Sequence, residues 1–274
     1  MQRKARILIL CKTYPSPSAK YAETSCVAGM DESGNLIRLY PVPFRLVTED
    51  QQFSKWQWIE ATIERSPADR RPESHKIGVD TITAGNILPA GDWKERNVFL
   101  EKLITYDSFS DLEKARLENN ITLGLIKPAR IAALRIRKAD SDDWTPEEID
   151  KLEYMQRQPN LFDEQQERAS IKRLEKIPFD FHYTYECLED GDFKSYTHKI
   201  VDWEVSQLYR NVRRRHGADG WVAPFRNKLE VQLPSRDLML LMGTIHRFPG
   251  QWLIISLVYP PKRQREASQQ ISLF

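Results

Sequence analysis

The chain is predicted to fold as α+β, with a β-rich, barrel-like N-terminal domain followed by a smaller α+β C-terminal domain. Three observations point there. Residues 6–63 are short runs of alternating or continuous apolar residues cut by Pro, Gly and Asn, the pattern of strands and tight turns. The stretch from Asp140 to Lys176 then turns acidic and Gln-rich with few β-branched residues. Beyond it, alternation resumes at FDFHYTYECLED and gives way to helical spacing.

In chain order, RILILCKTYP reads as a buried strand closed by Pro15 and Pro17. ETSCVAGMDESGNLIRLYPVPF is a hairpin, with DESGN at its turn and Pro41 and Pro43 halting the return strand. WQWIEATIER is a further strand, and SPADRRPESHK is loop by composition. Residues 92–118 are expected as two helical pieces, the second behind a Ser110 cap. LGLIKPARIAALRIRKA returns to strand and closes a first domain at 1–139; the barrel is left open between PUA-like, OB-like and other types. Residues 140–176 are an acidic linker holding one helix, TPEEIDKLEYMQR, with Thr145 as cap and Pro146 in its first turn.

The second domain spans 177–261. Phe179, Phe181, Tyr183 and Tyr185 share one face of its first strand, and Gly191 marks a turn. Tyr196–Gly217 reads as one helix, with Val201, Val205, Leu208 and Val212 as its apolar stripe. Asp202 and Glu204 suit the positive start of that helix, Arg213, Arg214, Arg215 and His216 its negative end, and Gly217 stops it. A weaker helix follows, then two strands split near Arg247–Gly250. Residues 262–274 form a flexible tail.

A net charge of +2 hides a division. Ser141–Asp192 holds 15 Asp/Glu against 6 Lys/Arg, and Phe193–Arg265 holds 5 against 13. An acidic middle before a basic end suggests a polyanionic partner. Three scattered cysteines argue against a disulfide framework and for a reducing compartment. No apolar run approaches the ~20 residues that span a bilayer, so a cytoplasmic protein without a membrane partner is expected.

Most catalytic signatures are missing: GxxxxGK[ST], GxGxxG after a strand, GxSxG, HExxH and paired CxxC do not occur. No metal site is expected, and no cofactor is named by the sequence. His198, Asp202 and Glu204 form the one cluster suited to acid–base work on a phosphodiester, although acidic residues in a first helical turn also have a structural reason. Whether the protein is an enzyme stays open. The basic residues speak more clearly. Arg210, Arg213 and Arg214 recur at i, i+3, i+4 and share a helix face, and Arg247 follows downstream. Guanidinium groups grip phosphate in bidentate fashion, and aromatics lie among them. Lys12 and Lys20 in KTYPSPSAKYAET, with Arg38, Arg45, Arg70 and Arg71, are placed to follow a phosphate backbone. DNA is therefore the expected partner.

KIPFDFHYTYEC, HKIVDWEVSQLYRN and LMLLMGTIHRFPGQWLIISLVYPP, together with KTYPSPSAKYAETSCVAG and RLYPVPFR, resemble the two parts of an uncharacterised prokaryotic family. The terminal QISLF is similar to the bacterial sliding-clamp-binding pentapeptide. That resemblance implies Gln270 fixing register, Ile271 covering the rim, and Leu273 and Phe274 as anchors. A looser copy, QPNLF, occupies Gln158–Phe162, with Pro159 departing from the pattern. Three classes follow: a clamp-recruited DNA protein in repair or phage defence, a non-catalytic inhibitor or toxin that occupies the clamp, and a nuclease or glycosylase using His198, Asp202 and Glu204.

Overall fold

A computed structural model describes residues 2–18, 22–91, 93–157 and 174–262. Its N-terminal part is built on strands β1 (Gln2–Lys12), β2 (Ser16–Ser18), β3 (Ala22–Met30), β4 (Leu36–Val42), β5 (Gln57–Arg65), β6 (Ser74–Ile77) and β7 (Thr83–Ile87). β1 pairs antiparallel with β3, β3 with β4, and β6 with β5, while β4 and β6 run parallel. The β1–β5 pairing closes the circle. Five strands therefore form a barrel, with β2 folded back on β3 and β7 added along β5. Counting those five strands along the chain, the order is 1-2-3-5-4 and back to 1, with a single parallel pair. This is the connectivity of an OB-type barrel, one of the types left open above.

The apolar run of β1 is explained by its burial on both sides. Ala5, Ile7 and Ile9 point into the barrel, while Leu8 and Leu10 point outward into a second core. β5 divides in the same way, with Ile59, Ala61 and Ile63 inside and Trp58 outside, joined there by Trp56 just ahead of the strand. At the β3–β4 turn the Asp31 carboxylate accepts from Ser33 N and Asn35 N, both at 2.9 Å. Gly34 takes φ +95° there, a conformation that other residues rarely adopt.

Helix α1 (Lys94–Leu100) leads to the second part. Its strands are β8 (Thr105–Tyr106), β9 (Leu123–Ile126), β10 (Arg130–Lys138), β11 (Phe179–Glu189), β12 (Asp192–Ile200), β13 (Met239–Ile245) and β14 (Phe248–Val258). They make one sheet in the order β10-β11-β12-β14-β13-β9-β8. One face carries α2 (Phe109–Asn119), α4 (Trp203–Gly220), α5 (Val222–Arg226) and a π-helical stretch, Asn227–Gln232. Here Phe181, Tyr183 and Tyr185 meet Tyr209, Trp221 and Phe225. The other face packs on the barrel: Leu123, Leu125, Met239, Leu241, Ile255 and Val258 meet Leu8, Leu10, Met30, Trp56 and Trp58. Period-two alternation along β13 sends Leu240 and Met242 to the helices and Met239 and Leu241 to the barrel.

The molecule is thus α+β, as expected, with a closed N-terminal barrel and an α+β C-terminal part. The boundary expected at 139 differs from the hydrogen bonding. β9 and β10 belong to the second sheet, because the apolar face of β10 is matched by β11 along Arg130–Lys138. Tyr196–Ile200 is the end of β12, not the start of a helix. Cross-strand pairing with β11 takes up its backbone groups, and α4 begins only at Trp203. Gly217 breaks that helix with φ +77°. Ser108, not Ser110, caps α2 by accepting from Asp111 N; the Ser110 hydroxyl donates to Glu189 instead. SPADRRPESHK ends in the first three residues of strand β6. Helix α3 (Pro146–Arg157) forms as expected, with reciprocal bonds between Thr145 and Glu148, and lies against β2 and β3. Among the described residues no helix is long and apolar enough to cross a membrane.

Candidate nucleic-acid interface

Beside the shared apolar layer, the outer face of β3 and β4 turns polar and opens into a cleft of about 730 Å³. Alternation produces it. Ile37 and Leu39 of β4 enter the barrel, so Arg38 and Tyr40 face out, next to Cys26 of β3. The β1–β3 segment contributes Thr13 and Tyr14, the β5–β6 loop Asp69 and Arg71, β6 His75 and Lys76, the end of β13 Thr244, and the β13–β14 turn His246 and Arg247.

Arg38 forms the floor at 3% exposure. Its Nε and Nη2 donate to Glu73 Oε1 at 3.3 and 3.1 Å, and Nη2 also donates to the Thr122 carbonyl at 3.1 Å. Thr122 Oγ1 donates to the same Glu73 carboxylate. A buried ion pair with its lone pairs and protons taken up in this way locks geometry, and breaking one side leaves an uncompensated charge. Arg38 is therefore a brace between barrel and second sheet, and not the surface phosphate contact expected of it.

Arg71 is a second brace. Its Nη1 donates to the Thr244 carbonyl at 2.7 Å, and Nε and Nη2 grip Asp69 at 2.6–3.1 Å. Burial pushes the Asp69 carboxyl up, but the bonds from Arg71 and Ser74 outweigh it and hold the group well below the usual range. His246 Nδ1 lies 3.1 Å from the same carboxylate. Arg247 and Lys76 remain exposed at the rim, and Arg70 is exposed but does not line the cleft.

Tyr14 links this cleft to a second groove. Its hydroxyl accepts from Arg210 and donates to the Glu175 carbonyl, and burial, against the pull of Arg210, pushes it up to about 12. Arg210, Arg213 and Arg214 line that groove together with Lys176, as their helical spacing predicts. Arg213 is held by the Tyr209 hydroxyl and Arg214 by Asn211 Oδ1 at 2.9 Å.

The remaining expected contacts are dispersed. Lys12 sits in an aromatic box, its Nζ 3.6 Å from the Phe44 ring and donating to the Phe53 carbonyl at 2.6 Å. Burial pulls that ammonium down to about 8. Arg45 pairs with Glu23 at 3.0 Å. Lys20, both clamp-type peptides and the tail beyond residue 262 lie outside the described residues.

His198, Asp202 and Glu204 are not brought together. A helix would have set His198 and Asp202 one turn apart on the same face, but His198 is on a strand. Its ring stacks on Tyr185, with Nδ1 3.0 Å from the tyrosine hydroxyl, and meets Phe109 at 4.6 Å. Burial, reinforced by His182, lowers it to about 4. Asp202, 2% exposed, caps α4 by accepting from Glu204 N at 2.6 Å and reaches Leu257 N at 2.9 Å. Glu204 pairs with Lys55 at 3.1 Å. Among the described residues no group of three or more His, Cys, Asp or Glu is placed to hold a metal ion.

Sequence reasoning missed Tyr40, Asp69, Glu73, Thr122, Thr244 and His246 as a group. They come from separate segments, and only the barrel's closure makes them neighbours. No curated protein matches the chain. Residues 3–102 match the family described as "Domain of unknown function (DUF8758)" and residues 105–274 the one described as "Domain of unknown function (DUF8757)". The second match covers more than half of the sequence, and the chain belongs to that family.

Proposed function

We propose that this is a DNA-associated protein that holds nucleic acid across the barrel cleft and along the arginine face of α4. One observation carries the reading. The β1–β3 and β5–β6 loops, which flank the ligand face of OB-type barrels, converge here on a cleft with arginine and lysine at its rim. Tyr14 and Arg210 extend the basic path to Arg213 and Arg214. Such a surface suits a phosphate backbone, whose neutralisation releases counterions. His198, Asp202 and Glu204 have separate partners, so binding is favoured over their joint use as a catalytic trio.

Recruitment to a bacterial sliding clamp through Gln270, Ile271, Leu273 and Phe274 completes the proposal, placing the protein in cytoplasmic repair or phage defence. The support for it is the QISLF sequence.

The test is fluorescence anisotropy with labelled single-stranded and duplex DNA over a salt series. Replacing Arg213 and Arg214 by Glu is expected to weaken binding across sequences and to reduce the log–log salt slope by roughly 0.9 per lost phosphate contact. Arg247→Glu is expected to do the same from the cleft side. Wild-type affinity that does not change with salt would refute the reading.

A further inference from the structure

We infer that the DNA path leaves the cleft across the half of the second sheet that the barrel leaves uncovered, where Arg135 and Arg137 hold the phosphodiester backbone; this rests on the DNA-binding reading and adds a contact surface to it. The apolar contacts with the barrel fall on β9, β13 and β14. On β10, β11 and β12 alternation settles which side chains share that face. Leu134 and Ile136 of β10 and Phe181 and Tyr183 of β11 pack toward the helices, so Arg135, Arg137 and His182 stand on the opposite side. Both arginines are exposed.

Register carries this surface into the cleft. Arg135 lies opposite His182 and His182 opposite Lys199. Ile200 lies beside Ile254, which brings Lys199 level with Leu253 and, across β13, with Gly243. Leu253 and Gly243 line the cleft. Three strand spacings of ~4.8 Å therefore separate the cleft wall from Arg135, about 14 Å in all.

Positive charge on this face is in excess. Asp180 is taken up by Lys199 and Glu186 by Arg130, each at 2.6 Å. Arg135 and Arg137 make no ion pair or hydrogen bond among the described residues. Like charges placed opposite one another weaken a sheet, and the row Arg135, His182, Lys199 has no carboxylate within it. Burial lowers the His182 pKa; Asp180 opposes the shift, and Arg137, Lys199 and Arg135 add to it. Guanidinium groups without a protein partner, in a row that holds no Phe, Tyr or Trp, suit phosphate contact and not base stacking.

The experiment compares the full chain with its Arg135→Glu/Arg137→Glu variant by fluorescence anisotropy on labelled DNA of increasing length, over a salt series. On long duplex the variant is expected to bind more weakly and to lose roughly 0.9 of the log–log salt slope per contact. Its Tm should be unchanged or higher, because a carboxylate then faces His182. The deficit should be larger on DNA long enough to span cleft and sheet than on a tetranucleotide; an equal deficit on both would reduce the arginines to long-range attraction and overturn the path. Unchanged affinity and slope, with Arg247→Glu still weakening binding, would overturn the path and leave the cleft standing. No binding of the wild type to any DNA at low salt would overturn both. A binding loss that comes with a lower Tm, and that Arg135→Gln with Arg137→Gln does not reproduce, would give the arginines a structural role instead.

Discussion

Protonation of His198 is expected to open a pH-dependent weakness in the sheet. The imidazole lies between Tyr185 and Phe109, with Nδ1 facing the Tyr185 hydroxyl at 3.0 Å. Burial holds its pKa at about 4, against about 6.5 for the unfolded chain. Between those values the unfolded state binds the proton and the folded state does not, so stability falls as pH falls. From neutrality to about pH 4.5 the loss from this one group comes to about 2.5 kcal/mol. His198→Phe removes the titration but leaves the buried Tyr185 hydroxyl without its partner, at about 1–3 kcal/mol. The variant should therefore be less stable than the wild type at pH 7.5 and should converge on it, or cross it, as the buffer approaches about pH 4.5. Urea unfolding across that range reads the difference directly, and taking wild type minus variant cancels the titrating carboxylates. His182, whose pKa burial also lowers, is retained in both proteins. Stability curves that stay parallel over the whole range would refute the argument.

Asp202→Asn should cost roughly 3 kcal/mol and lower Tm by roughly 6–12 °C in calorimetry, because two buried backbone N–H groups lose a charged acceptor. Gly29→Ala should destabilise by about 1–3 kcal/mol or more in urea, since a Cβ there would meet the Leu8 carbonyl oxygen at 2.5 Å. Leu273→Ala with Phe274→Ala should abolish clamp binding in a calorimetric titration while leaving Tm unchanged; the two anchors at about 1.5–3 kcal/mol each supply much of a micromolar affinity. Changing Leu161 and Phe162 as well should have no further effect, and clamp binding that survives the tail substitution but is lost on this change would move the contact to the acidic linker.

Much of the fold was legible because alternation and turn residues are local signals. The DESGN turn, the β1, β5 and β11 strands and the α3 cap follow from neighbours in the chain. The failures were long-range. His198 to Val201 has apolar spacing compatible with a helix, and only the pairing with β11 makes His198–Ile200 a strand. The arginine face of α4 was readable because i, i+3, i+4 spacing is a property of one segment. Arg38 and Lys12 were not readable, since nothing near them in sequence announces Glu73 thirty-five residues later or a box of Phe44, Phe53 and Trp203.

The apolar layer shared by barrel and sheet bears on how this chain can be cut or recombined. Two family matches meet between residues 102 and 105, which invites division there. A cut at that point would strand Trp56, Trp58 and Met30 on one fragment and Leu125, Leu241 and Ile255 on the other, each facing water. It would also leave the Arg38–Glu73 pair without the Thr122 carbonyl and would break the backbone bridge between Thr13 and Asp202. Neither fragment is then expected to be a self-sufficient module, and the two matched regions are expected to fold as halves of one packed unit that must be expressed together.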